Sequence, residues 1–329
     1  MTATGLIGQE LILKALRRAW QRGEVNHAYL FSGPAGSGKE TLALFFARLL
    51  NCHAAGESPC GECLSCRKIS GGHHPDFYRL EPQGASIKIE QLRGIKEMLH
   101  FFPREGRKKI CLIQDAEHLT LPAANSLLKI LEEPPENLVF LLLSARPWAL
   151  PGTVLSRCIQ FHLRPLTTDQ MALLLQREYP DLPAEEREFI VALARGNPGD
   201  GLAMAGQRGW EEKYAEAWSI LDSIENGPAK EIWPRAEEIS KREDLSTLLD
   251  LFALIYRERL LARLGFDGEQ SIIKKRFGFY NKGKDSFSAS PVFLEKISRS
   301  LLDLQGELLQ NVNKRLALEV LFLQMRGAV

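Results

Sequence analysis

Four cysteines lie in one short stretch of the chain with the spacing of metal ligands. Cys52, Cys60, Cys63 and Cys66 follow one another with seven, two and two residues between them. The two-residue gaps let adjacent thiolates reach one ion, and four thiolates suit a tetrahedral zinc ion better than redox-active iron. Four protein ligands leave no open position for a substrate, so we expect a structural zinc site. The alternative is four reduced cysteines without a metal.

A glycine-rich loop of the phosphate-binding type precedes the cysteines. Gly33, Gly36 and Gly38 are followed directly by Lys39, between an apolar run and an amphipathic helix. In this context the backbone N–H groups converge on phosphate oxygens at a helix N-terminus, and the lysine reaches the terminal phosphates. We therefore expect a site for ATP or another phosphate ligand. The alternative is a glycine-rich turn with the same sequence pattern that binds no ligand.

The residues that should support a magnesium ion at this loop are altered. Glu40 follows the lysine where the motif needs a hydroxyl, and Thr41 comes one position late, which turns its side chain by roughly 100° on a helix. The later apolar strand ends in Gln114 and Asp115, where two acidic residues are needed; alternatively, Asp115 and Glu117 form the acidic pair. Phosphoryl transfer depends on that metal. We expect weak or vestigial ATP binding and little or no hydrolysis, with Thr41 a poor ligand and Asp115 a degenerate catalytic acid.

The surrounding residues predict an α/β core. Continuous apolar runs predict strands at 27–32, 109–113 and 138–143, and apolar residues at helical spacing predict helices after the glycine loop, at 87–102 and at 122–133. Strands without polar alternation are buried on both faces, which is typical of a parallel sheet covered by helices. We place this core at residues 1–165, with the cysteine module at 52–66 inserted in it.

Helical patterns continue to the end of the chain. We divide them into a small helical domain at 166–209 and a larger one at 210–329. The basic, aromatic stretch at 274–284 is interpreted as a solvated loop rather than a nucleic-acid contact.

Composition narrows the class of protein. The chain is 45% hydrophobic and 25% charged, with a net charge of +1, so no overall basic character marks it as a nucleic-acid binder. Neither a signal peptide nor an apolar run of about 18 residues is evident. We expect a cytoplasmic protein without a membrane span, and in the cytosol clustered cysteines favour a metal over disulfides.

These residues together resemble the bacterial clamp-loader ATPases of the AAA+ class. The matching segments appear in the family's order: 27–39, the four cysteines, 74–76, 124–135 and 156–158. The resemblance implies an AAA+ P-loop core, a helical lid and a C-terminal collar for oligomerisation. Taken alone, Arg157 would be a surface or packing residue. In the segment Ser156-Arg-Cys158 the resemblance instead implies an arginine finger, acting in trans on a neighbour's ATP.

The resemblance also implies partners and a subunit type. It implies a ring with gamma/tau and delta subunits, within the DNA polymerase III holoenzyme, that loads a sliding clamp onto primed DNA. Glu40 and Gln114 replace ATPase residues, and Gly199 stands where a motor subunit carries a sensor arginine. With Arg157 intact, this pattern favours the delta-prime type, and we expect no tau-type tail after Val329. The alternative is an ATP-hydrolysing gamma/tau-type subunit.

Overall fold

The structure is a computed structural model that describes residues 6–54, 56, 58–99, 101–207, 209–265, 289–308 and 312–327. The basic stretch at 274–284 lies outside these residues. The chain forms two compact units, one of residues 1–178 with 195–202 and one of residues 179–194 with 203–329. Among the described residues, no helix is both long and apolar enough to cross a membrane.

The first unit alternates strands and helices as the sequence predicts. Its strands are β1 (Ala28–Ser32), β2 (Phe77–Leu80), β3 (Lys109–Ile113), β4 (Leu138–Ser144) and β5 (Ile159–His162). Its helices are α1 (Glu10–Arg22), α2 (Lys39–Asn51), α3 (Leu64–Ser70), α4 (Ile89–Leu99), α5 (Leu121–Glu132), α6 (Gly152–Leu155) and α7 (Thr168–Glu178). The α/β prediction is confirmed.

The five strands form one parallel sheet in the order β2-β3-β4-β1-β5. The three predicted strands β1, β3 and β4 occupy its centre and are buried along their whole length. Helices α1, α2 and α3 cover one face and α4, α5 and α6 the other, each adding apolar side chains to its own core cluster. This layering explains why the central strands are apolar on both faces.

The edges of the sheet differ from the sequence prediction. Strands β2 and β5 were not predicted, because they are short and only partly buried, so neither shows a continuous apolar run. The helix predicted from residue 87 begins at Ile89. Ile87 instead donates its N–H to the carbonyl of His118 and accepts from the N–H of Thr120, at 2.8 and 3.0 Å. A tertiary contact therefore delays the start of this helix.

The described part of the second unit is helical. It contains α8 (Ala184–Leu193), α10 (Trp210–Asn226), α11 (Ile232–Ser240), α12 (Leu245–Arg263), α13 (Pro291–Glu307) and α14 (Lys314–Met325), while α9 spans Pro198–Ala205. Helix α12 packs on α10 and α13, and α11 packs on α14. A buried ion pair of 2.6 Å between Arg259 and Glu225 joins α12 to α10.

Candidate functional site

The glycine loop lies at the carboxyl end of the central strands. It follows β1 and is tied to β4 by a 3.2 Å hydrogen bond from the N–H of Gly33 to the carbonyl of Ser144. Gly36 and Gly38 have φ angles of 76° and 92°, a region that other residues rarely adopt. Gly38 caps helix α2. Ligands of parallel α/β sheets bind at this edge, so the loop is placed where a phosphate would be expected.

Lys39 is folded back onto the loop. Its ammonium group donates to the carbonyl oxygens of Gly33 and Pro34 at 2.7 and 2.8 Å, and the residue is buried. Burial lowers the pKa of Lys39, while the carboxylates of Glu117 and Asp115 act in the opposite direction. The lysine thus stabilises the loop, and a phosphate would have to compete with two carbonyl groups for it.

Glu40 is held by residues from two neighbouring strands. Its carboxylate forms an ion pair with Arg79, which lies on β2 and also contacts Glu81 at 3.3 Å. The side-chain amide of Gln114, directly after β3, donates to the other Glu40 oxygen at 3.2 Å. The two altered positions are therefore partners of each other. Both are engaged in protein contacts at the edge where a magnesium ion would have to be held.

The two acidic residues after β3 have different surroundings. Asp115 is exposed and has a φ of 46°, at the start of a short turn. Glu117 accepts a 3.0 Å hydrogen bond from the N–H of Ala145, just beyond β4. Burial opposes its ionisation, but its own backbone N–H, the Ser144 hydroxyl and the N–H of Ala145 outweigh burial, and the pKa of Glu117 lies below its usual value. Of the two carboxylates, that of Glu117 is the one fixed against β4.

The segment carrying Gly199 lies directly on the glycine loop. The N–H of Gly199 donates to the carbonyl of Gly36 at 2.9 Å, and the side chain of Asn197 donates to the carbonyl of Ala35 at 2.8 Å. A Cβ atom at position 199 would lie only 2.6 Å from the Cα of Gly36. No side chain fits this position without movement of the backbone, so it cannot present an arginine to a phosphate in this arrangement.

The four cysteines converge as predicted. All four Sγ atoms lie within 4.8 Å of one another, with 3.6 Å between Cys52 and Cys60 and 4.0 Å between Cys60 and Cys66. A tetrahedral zinc ion with four thiolates separates its sulfur atoms by about 3.8 Å. Backbone N–H groups of Cys60, Cys63 and Cys66 also point at sulfur atoms, at 3.3–3.4 Å. The donor set fits a metal ion.

Two buried polar residues, His74 and Asp76, connect the cysteine module with the loop that precedes β3. His74 contacts the hydroxyl of Ser65 on α3 at 3.1 Å. Asp76 accepts three 2.8 Å hydrogen bonds, from the backbone N–H groups of Arg104, Glu105 and Gly106. Burial disfavours the charge on Asp76, but these N–H groups more than compensate and lower its pKa. These contacts give residues 74–76 a structural role.

Arg157 lies after α6, away from the glycine loop in sequence. Its guanidinium donates to the carbonyl of Thr153, the hydroxyl of Ser156 and the carboxylate of Glu132, at 3.0, 3.4 and 2.8 Å. About one third of the side chain, 34%, is exposed. The guanidinium is therefore held on the surface and is accessible to an approaching group.

Three contact residues were missed by the sequence analysis. Arg79 binds Glu40, Glu132 binds Arg157, and Asn197 binds the glycine loop. Arg79 belongs to a strand that the sequence does not predict, and Glu132 lies in a segment whose helical pattern and family resemblance do not single it out. For Asn197 the signal in the sequence is the neighbouring Gly199, which by itself indicates only the absence of a sensor arginine.

The proteins of known name to which this chain is similar include several subunits of DNA polymerase III. The family model described as "DNA polymerase III, delta subunit" matches residues 8–167. The tau subunit of DNA polymerase III from Escherichia coli is 36% identical over 211 residues, 63% of this chain and 33% of that protein. The delta' subunit from Pseudomonas aeruginosa is 38% identical over 221 residues, 64% of this chain and 67% of that protein. This chain thus spans about a third of the tau protein's length.

A solved structure of a gamma subunit-related protein from Thermotoga maritima aligns with 96% of this chain and 99% of its own chain. Its sequence identity is 20% and its TM-score is 0.44. Because the match to the delta' relative covers two thirds of that protein at 38% identity, this chain belongs to the clamp-loader family of DNA polymerase III subunits, which are AAA+ P-loop proteins.

Proposed function

We propose that this chain is a delta-prime-type subunit of a DNA polymerase III clamp loader. In this role it hydrolyses little or no ATP itself and donates Arg157 to the ATP site of a neighbouring motor subunit. The assembly of this chain with gamma/tau and delta subunits loads a sliding clamp onto primed DNA. Such a protein would work in the cytoplasm.

The observation that carries the proposal is the engagement of Glu40. A motor subunit needs a hydroxyl and a carboxylate to hold magnesium at this edge of the sheet. Here Glu40 contacts Arg79 and Gln114 instead. The contact between Gly199 and Gly36 adds support, because it leaves no space for a sensor side chain.

A gamma/tau-type motor subunit is the alternative, and one observation favours it. The glycine loop and Lys39 are intact, and Glu117 lies close enough to influence the charge of Lys39. Relatives of both subunit types are 36–38% identical to the chain, so sequence similarity does not separate the two. The motor alternative requires ATP turnover by the isolated chain.

We further propose the roles of the remaining parts. Residues 1–165 are the AAA+ core, 166–209 the lid and 210–329 the collar through which the ring assembles. The four cysteines hold a structural zinc ion, whose binding would fix the loop between α2 and α3. Gly33, Gly36, Gly38, Lys39 and Thr41 form a vestigial site for ATP or another phosphate, and Asp115 retains no catalytic role.

The test measures ATP hydrolysis by motor subunits with delta and primed DNA, after adding this chain or its Arg157→Ala variant. We expect the wild type to stimulate turnover. The variant should assemble but fail to stimulate, because an arginine finger contributes roughly 10³-fold or more at the site that it completes. Arg93→Ala, at an exposed position of α4, is the matched control and should behave as wild type.

Two results would overturn parts of the proposal. ATP turnover by the isolated chain, abolished by Lys39→Ala, would identify a motor subunit. Full stimulation of turnover by the Arg157→Ala variant in an assembled ring would exclude the arginine finger. The subunit type would then be decided by the ATP turnover of the isolated chain.

A further inference from the structure

Within the described residues, Arg157 has one partner outside its own turn. Its contacts with Thr153 and Ser156 are local, since those residues are four and one positions earlier in the chain. Glu132 is instead the last residue of α5, 25 positions earlier in the chain. Its carboxylate accepts a 2.8 Å hydrogen bond from the guanidinium of Arg157. This ion pair is what fixes the end of the side chain against another element.

The pair is exposed enough to exchange. The side chains of Arg157 and Glu132 are 34% and 53% exposed. Ion pairs in water-exposed positions contribute little to stability, so a competing anion can replace the carboxylate. A phosphate group carries more charge than a carboxylate and accepts two parallel N–H bonds from a guanidinium, which makes it a strong competitor.

We propose that Glu132 is a positioning residue for Arg157. Its carboxylate holds the guanidinium on the surface of its own chain, and a phosphate of the neighbouring subunit must displace it before the arginine can act. Glu132 thereby sets the ATP concentration at which the neighbouring site becomes active, without contacting the nucleotide. This inference rests on the proposed function of Arg157 as a finger.

The first test concerns the isolated full-length chain and needs no catalysis. Phenylglyoxal modifies accessible arginines, and the rate at Arg157 can be followed by peptide mass spectrometry. Glu132→Gln keeps the shape of the side chain and removes its charge, so modification of Arg157 should become faster by up to about fivefold, the range of exposed ion pairs.

Glu133→Gln is the matched control, because Glu133 is exposed and forms no ion pair within the part of the chain that the structure describes. It should leave the rate unchanged. An unchanged rate with Glu132→Gln would overturn the proposal.

The second test uses the assembled clamp loader with primed DNA. With Glu132→Gln in this chain, the apparent KM for ATP should fall by up to about fivefold while kcat stays the same, because only the displacement step is removed. An unchanged or higher KM would contradict the proposed competition. Equal melting temperatures of the wild type and both variants check that the fold is unaffected.

The two tests separate the possible failures. If the Arg157→Ala variant stimulates turnover normally, Arg157 is not an arginine finger, whatever the rate of its modification by phenylglyoxal. If Arg157→Ala is inactive while Glu132→Gln leaves both the modification rate and the KM unchanged, the finger stands and the role of Glu132 is wrong.

Discussion

The side-chain amide of Gln114 donates a 3.2 Å hydrogen bond to the carboxylate of Glu40. The sequence motif predicts that both residues replace groups that hold magnesium in a P-loop ATPase, and here the two side chains complement each other. An amide can approach the glutamate without repulsion, whereas an aspartate at position 114 could not. Glu40 and Gln114, the two departures from the motif, therefore form one cluster of contacts, in which Arg79 is the third member.

This coupling predicts a non-additive effect of restoring the motif. Gln114→Asp alone should lower the free energy of unfolding by about 1 kcal/mol, because two carboxylates then face each other in a half-exposed site. In the Glu40→Thr background the same change should cost much less. Urea unfolding of the wild type, both single variants and the double variant measures the coupling. Equal costs in the two backgrounds would show that the residues act independently.

The contact between Gly199 and Gly36 predicts that Gly199→Ala is destabilising. The new methyl group would lie 2.6 Å from the Cα of Gly36, so the loop or the turn must move, at a cost of about 1–3 kcal/mol. Gly94→Ala in helix α4 is the control, since no other described part of the chain lies within 4 Å of the place that its new methyl group would take. That change should instead stabilise the chain by up to about 1 kcal/mol. A neutral Gly199→Ala would mean that the contact is loose in solution.

The cysteine cluster predicts one bound zinc ion per chain, measurable by elemental analysis of protein purified without chelators. The Cys63→Ser variant should lose the metal. Its melting temperature should fall, because the loop between α2 and α3 depends on the bound metal for its shape. Cys158→Ser, outside the cluster, should retain the metal. A full zinc content in the Cys63→Ser protein would argue against a four-cysteine site.

Asp76 predicts an acid-sensitive contribution to stability. Its pKa is lower in the folded chain than its ordinary value of 3.8, so the folded state favours the carboxylate. This contribution is fully present above about pH 5 and is lost as the pH falls through 3.8 towards the lower pKa of the folded state. Asp76→Asn should therefore cost about 2 kcal/mol at pH 7 and reduce the loss of stability on acidification.

Unfolding free energies between pH 3 and 7 test this expectation. Asp181→Asn, at an exposed position, is the control and should reproduce the pH dependence of the wild type. If Asp76→Asn were destabilised equally at pH 3 and pH 7, the carboxylate charge would not be responsible.

The amino-acid sequence alone determined the elements whose signal is local. Continuous apolar runs predicted β1, β3 and β4, and the close spacing of the cysteines predicted their convergence. The glycines and Lys39 predicted the loop between β1 and α2. These features depend on neighbouring residues, because burial on both faces of a strand and the geometry of a short loop are encoded within a few positions.

Only the tertiary structure decided which side chains meet. Arg79 reaches Glu40 across 39 positions, Arg157 reaches Glu132 across 25, and Asn197 reaches Ala35 across 162. No local pattern specifies such pairs, because they depend on the order of the strands and on where each connection returns to the sheet. The sequence therefore predicted a phosphate-binding loop with altered neighbouring residues, whereas the order of the parallel strands decided which side chains contact Glu40 beside it.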